Sequence, residues 1–397
     1  MRSGLEAAAC GTVAERLIRI NTVAELCSIT HTRDGELVLM GTSERRIKLG
    51  VIRGDGIGPE LVESALTVLS AVAEIEQIQI DVVDEPGGAK VYQETQQPLR
   101  DGALERLRET DGILKGPVGL PNVRRADGTE GGLLGGVLRT GLDTYANVRP
   151  IYLRSGVPSA LGHSGKPIDY VIVRENTEGL YLSRGKGVST ANAAADQMLI
   201  TRIGTERIVR AAFEIAMKRS GAPGDGVSRV TCVDKSNVLR SFAFFRSIFE
   251  EIAAEYPSVE AGYIYADAAA ESLVMRPEQY DVLVMENFLG DILSDLGAGT
   301  IGGLGMCGSA NLGDNAAYFE PVHGSAPDIA GKGKANPASQ IISASMLLDH
   351  VGYSLAARRV QEALSRALED GSIEISHWGQ PKSGTAAAAQ AVVHRLL

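Results

Sequence analysis

The sequence predicts an α/β protein organised on a mostly parallel sheet with helices on both faces. Short apolar runs of strand length, among them IKLGVIR, DGILKG, IDYVIV and DVLVM, lack the polar alternation of a half-exposed strand, so they read as strands covered on both sides. Helical periods such as ELVESALTVLSAVAE and TERIVRAAFEIAMKRS separate them. Glycine turns stand where strand gives way to helix, as in GDGIGPE and at Gly290.

The 397 residues suffice for two ordinary domains or one large α/β unit. A net charge of −10 and a pI near 5.3 give nucleic acid or an anionic membrane surface no basic stripe to meet. Cys10, Cys27, Cys232 and Cys307 show neither metal-ligand nor disulfide spacing. A reducing cytoplasm is expected, without a signal peptide or a spanning segment.

Residues 1–47 stand apart as an extension of unassigned role, with a helical stretch (TVAERLIRINTVAELCSI) and a strand-like GELVLMG. Glu6, Glu15 and Glu25 argue against a transit peptide. From Ile47 the pattern is regular: strand IKLGVIR, turn GDGIGPE, then a helix with Pro59 in its first turn, where proline is accepted. The turn imitates a dinucleotide fingerprint, but proline replaces the third glycine, and Asp81 lies 27 residues past Gly54 instead of about 20. A structural turn near a ligand is the better reading. IQIDVVDEP is the next strand, a helix lies around Leu99–Glu109, and DGILKG ends in a glycine loop.

Arg139 and Arg149 follow in TEGGLLGGVLRTGLDTYANVRP, and Arg174 opens RENTEGLY after IDYVIV. Three arginines just past element ends suit either surface ion pairs or a clamp for carboxylates, which guanidinium grips bidentately. Residues 182–200 read as an exposed excursion. VSRVTCVDKSNVL delivers Lys235 and Asn237 to a strand end, and YADAAAESL places Asp267 at a helix start. Asp291 and Asp295 lie four apart on a helix after DVLVM, so both carboxylates share one face. They suit a solvated helix start or a hard divalent cation, and Asp267 is placed to join them above the sheet. YFEPVHGSAPDIAGKGKANPAS reads as a long functional loop, followed by three helices, the last from Thr385.

Seven segments, GDGIGPE, LDTYANVRP, RENTEGLY, VDKSNVL, YADAAA, NFLGDILSDL and HGSAPDIAGKGKANP, resemble in order those of the β-decarboxylating dehydrogenases, which act on isocitrate, 3-isopropylmalate, homoisocitrate and tartrate. The resemblance implies an isopropylmalate-dehydrogenase-like fold outside the standard Rossmann type: two α/β domains, 48–146 with 302–397 and 147–301, on one large mixed sheet. It implies a homodimer or larger homo-oligomer with shared active sites, residues 182–200 forming an intersubunit clasp. Arg139, Arg149 and Arg174 match the substrate-carboxylate clamp, with Asn237 and Val238 beside it. Asp267 of one copy with Asp291 and Asp295 of another match the Mg²⁺ or Mn²⁺ ligands. Lys235 matches the base that takes the hydroxyl proton as hydride leaves C2, and Tyr181 the acid that reprotonates C3 after CO₂ departs.

His323, Gly324, Asp328, Ile329 and Asn336 match the residues around the adenosine. An Asp at 328 accepts ribose hydroxyls and repels a 2′-phosphate, which implies NAD⁺, whereas NADP-using relatives carry lysine and tyrosine at positions 328 and 329. Isocitrate enzymes place serine and asparagine before the first clamp arginine. Here that segment is Leu133-Leu134-Gly135-Gly136-Val137-Leu138, a costly place to bury a third carboxylate. Glu130, Leu133 and Leu134 resemble the isopropylmalate pattern displaced by two positions. The implied activity is NAD- and metal-dependent oxidative decarboxylation of a 3-substituted malate, with tartrate, malate-type or isocitrate substrates as alternatives. A non-catalytic regulatory subunit is the reading of another class; the retained lysine, tyrosine and aspartates speak against it.

Overall fold

A computed structural model describes residues 45–126, 128–161 and 167–396, together with the backbone of two short antiparallel strands, Thr30–His31 and Leu37–Val38. The second of these lies in GELVLMG; the helix expected over 12–29 falls outside the described residues. Strand β1 (Arg46–Ile52) buries Leu49, Val51 and Ile52 completely, as expected of an apolar run covered on both faces. Helix α1 (Gly58–Glu76) takes Pro59 in its first turn and turns a stripe from Leu61 through Val72 into the core. It ends where Gln77 adopts φ 54° and caps Ala73 and Glu74.

The turn between them has a structural purpose. A Cβ on Gly54 would stand 2.1 Å from the Pro117 carbonyl, and one on Gly56 2.0 Å from that of Ser325, so both glycines serve close backbone approach. Between them the fully buried Asp55 carboxylate accepts the backbone N–H groups of Ala89 (2.7 Å), Lys90 (3.3 Å) and Gly119 (2.9 Å). It thereby fixes the start of α2 (Ala89–Thr95), which follows β2 (Gln79–Asp84), to the loop after β3 (Gly112–Lys115); α3 (Ala103–Arg108) lies between.

The chain continues through α4 (Gly135–Gly141), β4 (Ala146–Tyr152), β5 (Asp169–Glu175), α5 (Arg202–Ala216), β6 (Arg229–Asp234), α6 (Arg240–Ala253), β7 (Glu260–Tyr265), α7 (Ala266–Met275), β8 (Val282–Met285), α8 (Asn287–Thr300), β9 (Gly308–Leu312) and β10 (Ala317–Pro321). Helices α9 (Ala338–His350), α10 (Ser354–Glu369) and α11 (Thr385–Leu396) close it. Ten strands form one sheet in the order β7-β6-β8-β5-β4-β9-β10-β3-β1-β2. Both ends are parallel, while β5, β4, β9 and β10 pair antiparallel in the middle. The excursion at 182–200 is an exposed two-stranded hairpin, Val188–Ser189 with Ala194–Ala195.

The central reversal corrects the sequence reading, which placed Tyr318–Pro321 in a loop. Strands β9 and β10 carry buried Ser309 and Asn311 and the partly buried Glu320, which spoil the apolar signature. These groups satisfy one another: Asn311 Oδ1 accepts from Asn147 (2.8 Å) and Asn176 (2.9 Å), its amide donates to Glu320 (3.2 Å), and Glu320 pairs with buried Lys115. No helix among the described residues is long and apolar enough to cross a membrane.

Replacing Asp55 with alanine strands three donors, so Asp55→Ala should lose roughly 3 kcal/mol or more in urea unfolding. A loss under about 1 kcal/mol would mean water replaces the carboxylate.

Candidate active site

Helix α8 starts where buried β8 ends. The Glu286 carboxylate caps it, accepting from Phe288 (2.9 Å) and Leu289 (3.2 Å), and also takes the Leu180 N–H (3.2 Å). The helix therefore begins at Asn287, and Gly290, expected to form a turn, lies inside it. Arg174 is the reason: a Cβ at 290 would meet its Cγ at 2.4 Å. One helix face then presents Asp291 and Asp295 a turn apart, both partly exposed.

The three arginines lie within elements, not beyond their ends. Arg139 is in α4, Arg149 in mid-β4 and Arg174 in β5. Asn147 stands opposite Arg174 in the antiparallel ladder, so Arg149, two residues on, shares its face. Arg174 is 1% exposed and donates twice to Asn287 Oδ1 (3.0 and 2.8 Å) while pairing with Asp291. Burial first, then the neighbouring charges of Arg139 and Arg149, pull its pKa down to about 9, still cationic at neutral pH. Arg149 reaches Asn147 (2.7 Å), Ser294 (2.5 Å) and Asp295 (3.1 Å). Arg139 lies beside Tyr318 and Glu320, and its buried Nε has no hydrogen-bond partner among the described residues. Among the described residues nothing lies within 4 Å of where a Cβ on Gly136 would stand, and a Cβ at Gly135 would be 3.8 Å from the Arg139 guanidinium.

Tyr181 donates to Asp291 (2.6 Å), with its ring 5.7 Å from the Arg174 guanidinium. Burial, then the Asp291 hydrogen bond and charge, push the phenol up to about 12, so it keeps its proton. Burial would raise Asp291, but Arg174, the Tyr181 hydrogen bond and Arg149 hold it below the usual carboxylate range. Asp295 goes the other way: burial raises it, and Arg149 only partly offsets burial and the charge of Asp291.

Lys235 and Asp267 follow β6 and β7 at the sheet's far edge, where they form an ion pair that lowers the Asp267 pKa. Asn237 and Val238 are exposed in the next turn. The three aspartates thus do not converge within one chain, and among the described residues no group of three His, Cys, Asp or Glu side chains is set to hold a metal. Elements at this edge expose large apolar side chains, including Val238, Phe244, Tyr263, Met275 and Ile292.

A second concavity of about 310 Å³ gathers His323, Gly324, Ile329 and Asn336, with Ile57 of the GDGIGPE turn forming part of the wall. Asp328 is exposed and outside this lining. His323 is held by Ser339 (3.0 Å), and burial lowers its pKa, keeping it neutral. Strand β10 joins the two places, running from Tyr318 and Glu320 near Arg139 towards His323.

The chain matches the family model for isocitrate/isopropylmalate dehydrogenase over residues 48–384. The 3-isopropylmalate dehydrogenase of Thermobifida fusca is 42% identical over 337 residues, covering 83% of this chain and 93% of that protein. The protein of the same name from Corynebacterium efficiens is 43% identical, covering 81% and 92%. This chain belongs to the isocitrate/isopropylmalate dehydrogenase family. Two solved dehydrogenases share its fold. The isocitrate dehydrogenase of Methylococcus capsulatus superposes with TM-score 0.78 at 38% identity, over 88% of this chain and 99% of that one. A beta-decarboxylating dehydrogenase from Thermococcus kodakarensis gives 0.71 at 37%, over 88% and 96%.

The protein is thus an oxidative decarboxylase, and the family resemblance and mixed, mostly parallel fold read from the sequence are borne out. In this dehydrogenase the sequence reading missed Asn287, Ser294 and Glu320, which hold the arginines or their neighbours. Asn287 had one visible signal, a polar residue just past a buried apolar strand; Ser294, in mid-α8, and Glu320, inside β10, had none. Alanine in a helix interior ordinarily gains about 1 kcal/mol over glycine. Gly290→Ala should instead displace Arg174 and lower kcat/KM by on the order of 10²-fold, with the helical circular dichroism unchanged. Full activity would show that the position of Arg174 is not critical.

Proposed function

We propose that this dehydrogenase oxidises and decarboxylates a 3-substituted malate, with NAD⁺ as hydride acceptor and Mg²⁺ or Mn²⁺ as the metal. The observation that carries this reading is the crowding of Arg139, Arg149 and Arg174 opposite two open carboxylates. Three guanidinium groups call for a multiply charged anion, and a 2-hydroxy diacid supplies two carboxylates to them. Asp291 and Asp295 offer hard oxygen donors one turn apart, which suits the proposed metal. When bound, the metal acts as a Lewis acid at the substrate hydroxyl and carboxylate.

The chain's own residues supply the proton steps. Lys235 would take the substrate hydroxyl proton during oxidation at C2, for which bound NAD⁺ would supply the hydride acceptor; Tyr181, which keeps its proton at neutral pH, would donate to C3 after CO₂ leaves. Lys235 and Asp267 lie at an edge rich in exposed apolar side chains, which supports their entering the active site of a second copy in a homodimer. The halves 48–146 with 302–397 and 147–301 then act as the cofactor-binding and dimerisation domains. His323, Gly324, Ile329 and Asn336 hold the adenosine, and Asp328 accepts the ribose hydroxyls.

The C3 substituent faces Gly135 and Gly136, where missing side chains leave room for an apolar group. A second reading, a polar C3 group as in tartrate, is favoured by the buried Arg139 Nε, which lacks an acceptor among the described residues.

Turnover with NAD⁺ and Mg²⁺ should be found within a panel of 3-alkylmalates, tartrate, malate and isocitrate. Isocitrate as best substrate, or NADP⁺ with the higher kcat/KM, would overturn the assignment. Asp291→Asn should abolish metal-dependent turnover yet leave NAD⁺ binding nearly intact by calorimetry. Mixing inactive Lys235→Met and Asp291→Asn proteins under subunit exchange should restore about one quarter of wild-type activity, because one of two sites in each heterodimer is whole. No recovery would place both residues of a site in one chain.

A further inference from the structure

We propose that the indole of Trp378 stacks on the adenine of the dinucleotide and forms the outer wall of its pocket. This rests on the reading that the concavity around His323 holds the adenosine. Trp378 is the only tryptophan in the chain, and it is 85% exposed on the rim of that concavity. Among the described residues its one aromatic neighbour is His377, at 5.4 Å in a T-shaped arrangement, which leaves most of the indole uncovered. A side chain of this size normally gains by burial, and exposure at a pocket mouth leaves that gain for a ligand.

The backbone holds the indole there. Residues 375–381 form a tight loop closed by an Ile375–Pro381 bridge, with Gly379 N–H donating to Ser376 O (2.9 Å) and Ser376 N–H to Gln380 O (2.8 Å). Gly379, at φ 74°, makes the turn; a Cβ there would stand 2.9 Å from Gly302 O. The loop is tied to the pocket by Asn336, whose amide donates to Gly379 O (3.0 Å) while its oxygen accepts from Ala338 (3.0 Å). Asn336 therefore acts as a positioning residue for the Trp378 turn. Ile57, Leu304 and Ile329 line the same concavity, giving a flat purine an apolar surface besides the indole.

The sole tryptophan makes its own reporter. NAD⁺, and AMP as the adenine-bearing fragment, should quench its emission saturably. Trp378→Ala should weaken both by about tenfold in calorimetry, the usual worth of one base–aromatic stack. Trp378→Phe should retain most of the affinity, and nicotinamide mononucleotide, which has no adenine, should bind wild type and Trp378→Ala alike. Unchanged emission at saturating NAD⁺, with equal affinity in Trp378→Ala, would overturn the stacking while leaving NAD⁺ as cofactor. Equal weakening of AMP and nicotinamide mononucleotide would also overturn it, since the effect would then come from pocket shape. Absence of NAD⁺ binding to the wild-type protein would overturn both the stacking and the cofactor reading.

Discussion

Holding three guanidinium groups close together in a largely buried place is the constraint on which the rest of this structure depends. Like charges at short range in a medium of low polarity repel strongly, and a buried cation without partners is costly. The lowered pKa of Arg174 expresses that cost. Each arginine is held differently: Arg174 by Asn287 and Asp291, Arg149 by Asn147, Ser294 and Asp295, and Arg139 beside Tyr318 and Glu320. Much of this support comes from α8, so capping by Glu286 and the bare Gly290 face are part of the site's construction.

The sheet's central reversal serves the same end. In a wholly parallel sheet, strand ends would carry the ligands and the strand interiors would be apolar. Here β4, β5, β9 and β10 bring polar residues of strand interiors into register, and an amide network from Asn147 through Asn311 to Glu320 and Lys115 satisfies them. Arg149 and Arg174 can then rise from strands, on rigid backbone, where loops would hold them less accurately.

The two carboxylates of α8 show how surroundings separate identical groups. Asp291 meets two arginines and a phenol and is held anionic; Asp295 meets one arginine and the charge of Asp291, and its carboxyl is raised. Sequence spacing alone describes them as equivalent, and only the packing of β4, β5 and Tyr181 distinguishes them.

The sequence by itself determined the α/β class, since DVLVM, IDYVIV and IKLGVIR can be read as doubly covered strands from composition alone. It also determined the family, because seven ordered segments specify more than any single motif. It singled out Asp291 with Asp295 and the three arginines, because charge and helical spacing are local properties. The tertiary structure decided what depends on distant partners. Partly buried Glu320 and buried Asn311 hid a strand within an apparent loop. Gly290 reads as a turn until Arg174 is seen against it, and Trp378 lies far in sequence from the pocket it borders. Short-range periodicity carries no record of which distant polar groups will satisfy one another, and in this protein those pairings built the site.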